Sequence, residues 1–218
     1  MVQVDPNTVT EPLDVLQSTR PPNAVYHCVV TPRWMAAFLL VSVALALPAP
    51  APASEVLWTL LKGGGQVVLL RHGSTPPAVG DPPGFRLDDC STQRNLTAAG
   101  REEAQRIGAA FTARGIPVDR VLSSPWCRCL ETARLAFGTV ESWAPLSSLF
   151  VDRTRQAEQT RAFRTLAGET RAGTNVIMVT HGANIVAFVG VSPAMGEMVI
   201  VTPQGGGALT VAGRLPPP

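Results

Sequence analysis

The sequence predicts a three-layer α/β/α domain with a mainly parallel sheet. Two nearly continuous apolar runs, 66–70 and 175–180, have the length and β-branched content of strands buried on both faces. Segments with helical periodicity separate these runs, and strands that alternate with helices are typical of a parallel sheet covered on both sides. A chain of 218 residues with 45% hydrophobic content can bury one such core.

The remaining elements are placed by their capping residues and apolar stripes. Thr97 can cap the first free N–H groups of a long helix, and Gly115 can end that helix. Ser124 is predicted to cap the next helix, with Pro125 at its first position. The predicted series is helix 55–61, strand 66–70, helix 97–114, strand 120–122, helix 124–136, a weaker strand 141–146, helix 153–166, strand 175–180, helix 183–189 and an edge hairpin of 198–201 with 208–211.

The N-terminal region is predicted to direct export. Arg33 precedes an apolar segment over 36–47, and a Pro/Ala stretch ending at Ala53 follows, which is the order of a secretory signal peptide. The apolar segment is shorter than the roughly 20 residues of a membrane-spanning helix. We therefore expect a signal peptide over 35–53, a periplasmic or secreted domain over 54–218, and membrane attachment only if the segment is not cleaved. Residues 1–34 are interpreted as a non-native or disordered extension, with translation starting at Met35 or slightly upstream.

Charge and cysteine content narrow the function classes. A formal net charge of +2 without a basic run gives no reason to expect a nucleic-acid partner. Cys90, Cys127 and Cys129 follow the predicted signal peptide, and an oxidising compartment permits a disulfide. Residues two apart project from different sides of a helix, so at most one of Cys127 and Cys129 readily meets Cys90. Free, half-buried thiols are the equally weighted alternative.

Two histidines occupy equivalent places in the predicted sheet. His72 follows the first buried strand within Arg71-His72-Gly73, and His181 follows the later strand within Thr180-His181-Gly182. Ligands of such sheets bind beyond the carboxyl ends of the strands, so both imidazoles are expected at one edge.

Arginines near these histidines indicate an anion site. Arg128 falls in the first turns of the helix after Ser124, where free N–H groups favour negative charge and a guanidinium can bind phosphate oxygens in pairs. Neighbouring positive charge lowers the pKa of a histidine, and the neutral imidazole that results can act as a nucleophile.

Four ordered segments carry a family resemblance over about 66–189. The segments are Leu70-Arg71-His72-Gly73-Ser74-Thr75, Leu96-Thr97 with Gly100-Arg101 and Ala104, Ser123-Ser124-Pro125 through Arg128 with Thr132-Ala133, and Val179-Thr180-His181-Gly182. Together they resemble the Arg-His-Gly signature and three later motifs of the histidine phosphatase superfamily, in its phosphoglycerate-mutase-like branch, as an exported member.

The resemblance implies the fold of that branch and a covalent mechanism without a metal or other cofactor. His72 would attack phosphorus, and Arg71, Arg128 and His181 would hold the phosphoryl oxygens. Ser74 either touches phosphate or shapes the turn. The expected partner is a small phosphorylated substrate.

The proton donor for the leaving group departs from the family pattern. Asp152 is the first candidate and Glu141 the second, although Asp152 is an equally good N-cap for the helix after it. Arg94 is interpreted as a surface charge in preference to a contributor to the site.

The expected activity is therefore phosphomonoester hydrolysis of the histidine acid phosphatase type, through a phosphohistidine on His72. A phosphoglycerate-mutase-type phosphotransferase is the first alternative, disfavoured by the short segment between Arg128 and His181 and by the expected export. The second alternative is a non-catalytic envelope protein that keeps the fold and binds an anion.

Overall fold

The computed structural model describes residues 52–78 and 80–218. Its elements follow the predicted order closely. The helices are α1 (Ala53–Gly63), α2 (Ala98–Arg114), α3 (Cys127–Phe137), α4 (Gln156–Gly168) and α5 (Gly182–Val189), and the strands are β1 (Val67–Arg71), β2 (Val118–Ser123), β3 (Glu141–Ser142), β4 (Asn175–Thr180), β5 (Met198–Pro203) and β6 (Leu209–Leu215).

The strands form one sheet in the order β3-β2-β4-β1-β5-β6. The first four strands in this order pair in parallel, whereas β5 pairs antiparallel with β1 and β6 antiparallel with β5. The carboxyl ends of β2, β4 and β1 therefore lie side by side at one edge of the sheet. The predicted mainly parallel α/β sheet and its edge hairpin are confirmed.

Each face of the sheet packs against its own hydrophobic cluster. One cluster joins α1, α2 and α3 to the sheet, with Leu61, Ile107 and Cys129 fully buried. The other joins α4 and α5 to the opposite face, with Phe163 stacked on Phe188 at a ring-centroid distance of 4.6 Å. Side chains of β1 alternate between the two clusters, as expected for a strand covered on both faces.

Several predicted boundaries differ from the structure by a few residues, and three of the differences have a physical cause in the contacts of the chain. Helix α3 begins at Cys127 and not at Ser124, because the Ser124 hydroxyl is hydrogen-bonded to His181 and the Cys127 N–H donates to Oε1 of Gln93. Strand β3 is only two residues long, since the chain turns into a short 3-10 helix that contains Pro145, which has no N–H to donate. A 3-10 turn over Arg153–Arg155 precedes α4, so that helix starts later than predicted.

A disulfide connects the long loop after β1 to the start of α3. Cys90 and Cys127 are bonded with their Cα atoms 5.7 Å apart, and Cys129 is a buried free thiol. Of the pairings left open by the sequence, the structure thus contains the one with Cys127.

The predicted extension and nearly all of the predicted signal peptide lie outside the described residues. Within the part of the chain that is described, no helix has both the length and the apolar content needed to cross a membrane.

Helices α2 and α3 approach so closely that α2 requires glycine at one position. A Cβ built on Gly108 would lie 2.0 Å from the carbonyl oxygen of Ala136, and a backbone atom in a helix cannot easily yield. Gly168, at the end of α4, has no atom within 4 Å of the same position.

We expect Gly108→Ala to destabilise the protein by about 2 kcal/mol or more through overpacking, lowering Tm by roughly 4–8 °C. Gly168→Ala is the matched control, and it is expected to be neutral or to stabilise by up to about 1 kcal/mol. Thermal unfolding followed by circular dichroism measures both. Equal melting temperatures for the two variants would contradict the close approach of α2 and α3.

Candidate active site

The register between β1 and β4 brings the two histidines together. Arg71 pairs with Thr180, so the next residues along the two parallel strands are His72 and His181. The His72 N–H continues the ladder by donating to the Thr180 carbonyl at 3.0 Å. The two imidazole rings lie with their centroids 5.5 Å apart, and both residues are buried. The predicted meeting of the two histidines at one edge of the sheet is therefore found.

The hydrogen bonds of His72 identify its free nitrogen. Nδ1 lies 2.9 Å from the Gly73 carbonyl oxygen, which can only accept, so Nδ1 carries the hydrogen and Nε2 keeps its lone pair. The turn after His72 is fixed from α3, since the Gly73 N–H donates to Oγ1 of Thr132 at 3.0 Å. Thr132 in turn donates to the carbonyl of Arg128 at 2.7 Å. The imidazole is thus held in one tautomer and one place.

His181 contacts two other groups of the site. Its Nδ1 lies 3.4 Å from an NH2 nitrogen of Arg128, which can only donate, so Nε2 carries the hydrogen and points to Oγ of Ser124 at 2.8 Å. Trp126 covers the ring edge-on with a centroid distance of 5.4 Å. The resemblance implies that Nε2 donates to a phosphoryl oxygen. For this, the imidazole ring must rotate so that its Nε2–H points to the ligand in place of Ser124.

Three guanidinium groups converge on one cavity beside the histidines. Arg71, Arg94, Arg128, His72 and His181 all line this cavity, whose volume is about 450 Å³. Among the described residues, five buried side-chain atoms lack a hydrogen-bond partner, and three of them are the Nε atoms of these arginines. Buried donors are normally paired, so three unpaired ones around one cavity indicate a site for an anion that accepts hydrogen bonds.

The opposite edge of the Arg128 guanidinium is fixed by a carboxylate. Asp81 accepts a hydrogen bond from each terminal nitrogen of Arg128, at 2.6 and 3.2 Å. The Arg128 side chain is only 3% exposed and that of Asp81 only 1%. Asp81 also accepts from Nε1 of Trp126 at 3.0 Å and from the Arg94 N–H at 3.0 Å. Burial raises the pKa of Asp81, but the hydrogen bonds and charge of Arg128 outweigh this and hold that pKa below its ordinary value.

Burial and positive charge both favour neutral histidines. Burial lowers the pKa of His72 to about 3, and the charges of Arg128, Arg71 and Arg94 act in the same direction. Burial likewise lowers the pKa of His181 well below its usual value, with smaller effects from His72 and Arg128. His72 is therefore an unprotonated base throughout the neutral pH range, as the sequence predicts for a histidine near arginines.

Three residues named from the sequence lie away from the cavity lining. Ser74 donates its N–H and hydroxyl to Oε2 of Glu103, at 2.9 and 3.3 Å, and so shapes the turn after His72. Asp152 is exposed and caps the turn before α4 by accepting from Thr154. Glu141 is exposed on β3 and pairs with Arg120.

The structure adds two residues that the sequence reasoning missed. Arg94 lines the cavity, so its interpretation as a surface charge is corrected: its NH1 donates to the Ala78 carbonyl, which holds the side chain along the loop. Asp81 belongs to none of the four sequence motifs, and only the fold of the loop over 73–95 brings it to Arg128. The position of Arg94 just before Leu96-Thr97 was the available signal for the first residue, whereas the sequence offered none for the second.

The described residues contain no cluster of three His, Cys, Asp or Glu side chains that could hold a metal ion. The donors that surround the cavity are positively charged or neutral, and suit an anion.

Comparisons with known proteins agree with this geometry. Residues 67–148 match the family model described as the histidine phosphatase superfamily, branch 1. A search of curated proteins gave no significant match.

Several solved structures share the fold, and two of them are of phosphatases. The protein histidine phosphatase SixA in complex with tungstate is 21% identical, with a TM-score of 0.50 over 70% of this chain and 97% of its own. Phosphoserine phosphatase from Entamoeba histolytica in complex with phosphoserine is 12% identical, with a TM-score of 0.50 over 68% and 95%. YhfR from Bacillus stearothermophilus is 17% identical, with a TM-score of 0.50 over 67% and 95%. Residues 67–148 of this chain are thus similar to the histidine phosphatase superfamily, branch 1, and the domain has the fold of these solved structures.

Proposed function

We propose that the protein hydrolyses phosphate monoesters through a phosphohistidine on His72. The observation that carries this proposal is the free Nε2 lone pair of a neutral His72 beside three guanidinium groups whose Nε atoms lack partners in the described structure. The similarity of residues 67–148 to a superfamily that includes phosphatases supports the same activity.

In the first step, the phosphoryl group lies among Arg71, Arg94 and Arg128, which neutralise its oxygens and orient phosphorus toward His72. Nε2 of His72 forms a bond to phosphorus, while the bond from phosphorus to the ester oxygen breaks. The leaving oxygen takes the electron pair of that bond and then a proton. The Gly73 carbonyl stabilises the positive charge that develops on the imidazole, since it accepts from Nδ1–H.

In the second step, water attacks phosphorus and the bond from phosphorus to Nε2 breaks. The imidazole recovers its lone pair, and inorganic phosphate leaves. In the described structure, His181 accepts from the Arg128 guanidinium at Nδ1, and a rotation of the imidazole ring that turns Nε2–H away from Ser124 allows it to donate to a phosphoryl oxygen.

We also propose that the domain works outside the cytoplasm. The order of charged, apolar and small residues before residue 54 and the disulfide between Cys90 and Cys127 support export. N-terminal sequencing of the exported protein identifies the cleavage site.

The nucleophile can be tested by substitution and by trapping the intermediate. His72→Ala is expected to lower kcat for an aryl phosphate by about three orders of magnitude or more, because no other group replaces the attacking nitrogen. His27→Ala in the full chain is the matched control, since His27 precedes the predicted signal peptide, and its rate should be unchanged. Mass spectrometry of the protein during turnover is expected to show an acid-labile phosphoryl group on His72. Equal rates for the wild-type protein and a folded His72→Ala variant contradict the mechanism and favour a protein that only binds an anion.

The low pKa of His72 predicts how the site responds to pH. In the folded protein, the imidazole resonances of His72 and His181 should show no protonation between pH 8 and pH 5, whereas the urea-unfolded chain should titrate near the usual value of about 6.5. Because only the unfolded state takes up protons in this range, the free energy of unfolding should fall as the pH drops from about 6.5 toward about 3. Nuclear magnetic resonance of labelled histidine measures the titration. A folded-state midpoint near pH 6.5 for His72 contradicts the prediction.

The pairing of Asp81 with Arg128 predicts a stability that depends on the ligand. Asp81→Asn leaves a buried guanidinium without its counter-charge, and should destabilise the phosphate-free protein by about 3 kcal/mol. Phosphate supplies negative charge, so it should raise Tm more in this variant than in the wild-type protein. Asp152→Asn is the control: asparagine caps as well as aspartate, and neither effect is expected. Identical melting curves for the two variants, with and without phosphate, would show that Asp81 does not balance Arg128.

A further inference from the structure

Apolar side chains surround the mouth of the phosphate cavity. Phe150 and Val186 both line it and are 54% and 45% exposed. Pro76 and Pro77, also exposed, line the mouth from the loop after β1. A cavity of about 450 Å³ lies within the range of sites that bury a whole small molecule, so it has room for a ring beyond the phosphoryl group.

The loop that carries Phe150 is firmly held, so the exposure of this side chain is built into the fold. Asn184 of α5 is fully buried; it accepts from the Leu149 N–H at 3.1 Å and donates to the Ser147 carbonyl at 2.8 Å. Leu149 itself is only 2% exposed. Because the same helix carries Val186, Asn184 fixes the distance between the two apolar residues of the mouth.

The second observation concerns the proton donor that a leaving oxygen would need. The described residues that line the cavity are basic, hydroxyl-bearing or apolar, and none of them is Asp or Glu. Asp152 is bound to Thr154, and Glu141 is paired with Arg120. A phenol has a pKa of about 10, several units below that of water at about 15.7, so a phenolate leaves without a proton donor far more readily than an alkoxide.

We propose that the cavity takes an aryl phosphate monoester, with the phenolic ring against Phe150, Val186 and Pro76. This inference rests on the proposed phosphatase activity and names its substrate class. Phosphate esters of sugars and other polyols fit less well, since their hydroxyl groups would contact apolar side chains and their alkoxides need protonation.

The reaction then balances without a further reactant. Nε2 of His72 bonds to phosphorus, the bond from phosphorus to the phenolic oxygen breaks, and the phenolate leaves with the electron pair. Solvent water protonates the phenolate after departure. A second water molecule hydrolyses the phosphohistidine to inorganic phosphate.

Affinity for non-hydrolysable phosphonates tests the ring contacts apart from the chemistry. Phenylphosphonate is expected to bind the full chain about tenfold more tightly than methylphosphonate in isothermal titration, because the ring buries apolar area at the mouth. Phe150→Ala should reduce this preference to about twofold or less, and Val186→Ser should reduce it in part. Neither should change the affinity for methylphosphonate by more than about twofold.

Val211→Ser is the matched control, since Val211 is a partly exposed valine on β6 and does not line the cavity. It should leave the preference unchanged. Equal affinity of the wild-type protein for the two phosphonates, or an undiminished preference in folded Phe150→Ala, would overturn the proposal. If the wild-type protein bound neither phosphonate nor phosphate itself, this would instead overturn the proposed phosphatase activity.

Turnover provides an independent test. Within a series of substituted phenyl phosphates, kcat/KM is expected to fall steeply as the pKa of the leaving phenol rises, because no proton donor offsets the developing charge. Glycerol 3-phosphate should turn over at least about 100-fold more slowly than phenyl phosphate. Comparable turnover of both substrates, or a shallow dependence on the leaving group, contradicts the aryl specificity while leaving the phosphatase activity in place.

Discussion

The buried ion pair between Arg128 and Asp81 constrains the arrangement of the whole site. A guanidinium that is 3% exposed must have its charge balanced within the protein, and Asp81 does this through two hydrogen bonds. Asp81 can reach Arg128 only if the loop over 73–95 folds back across the start of α3. The disulfide of Cys90 with Cys127 and the hydrogen bond of Gln93 to Cys127 hold the loop there. The loop and the helix thus become one wall of the cavity.

The same pair determines which part of Arg128 a ligand can use. Asp81 accepts from the two terminal nitrogens, so Nε, which has no partner in the described structure, remains for an anion. The carboxylate partly cancels one positive charge, which leaves Arg71 and Arg94 to supply the net attraction. The neutral state of His72 follows from its burial, with the positive charges of Arg128, Arg71 and Arg94 acting in the same direction.

Much of the fold could be predicted because local signals agree with it. The run 175–180 is a strand with the predicted bounds, and Thr97 caps α2 through the Gly100 N–H at 3.0 Å. The histidines could be placed at one edge because parallel strands end there together. Ser124 shows the limit: it has the right residue type and a following proline for an N-cap, but His181 competes for its hydroxyl. Local preference was overridden by a partner 57 residues away in sequence.

The polar residues around the cavity were harder to predict, because their contacts also depend on partners far away in the sequence. Arg94 and Asp81 lie in a loop without periodicity, and their contacts depend on how that loop crosses α3. Asp152 is open to interpretation either as a cap or as a proton donor, and in the described structure it caps an exposed turn by accepting from Thr154. Long-range contacts of loop residues leave no pattern in a single sequence, whereas buried strands and capped helices do.

The burial of Cys129 has a consequence for how the protein acquires its disulfide. Three cysteines within 40 residues could exchange partners if the Cys129 sulfur became a thiolate able to attack the disulfide. Burial raises the pKa of the Cys129 thiol to about 12, so in the folded protein this sulfur stays protonated and is a poor nucleophile. Its Sγ lies 3.6 Å from Nε2 of His181, packed beneath the site. Once folding is complete, the core therefore protects the correct cross-link from scrambling, and any mispairing must arise earlier, while the chain is still open.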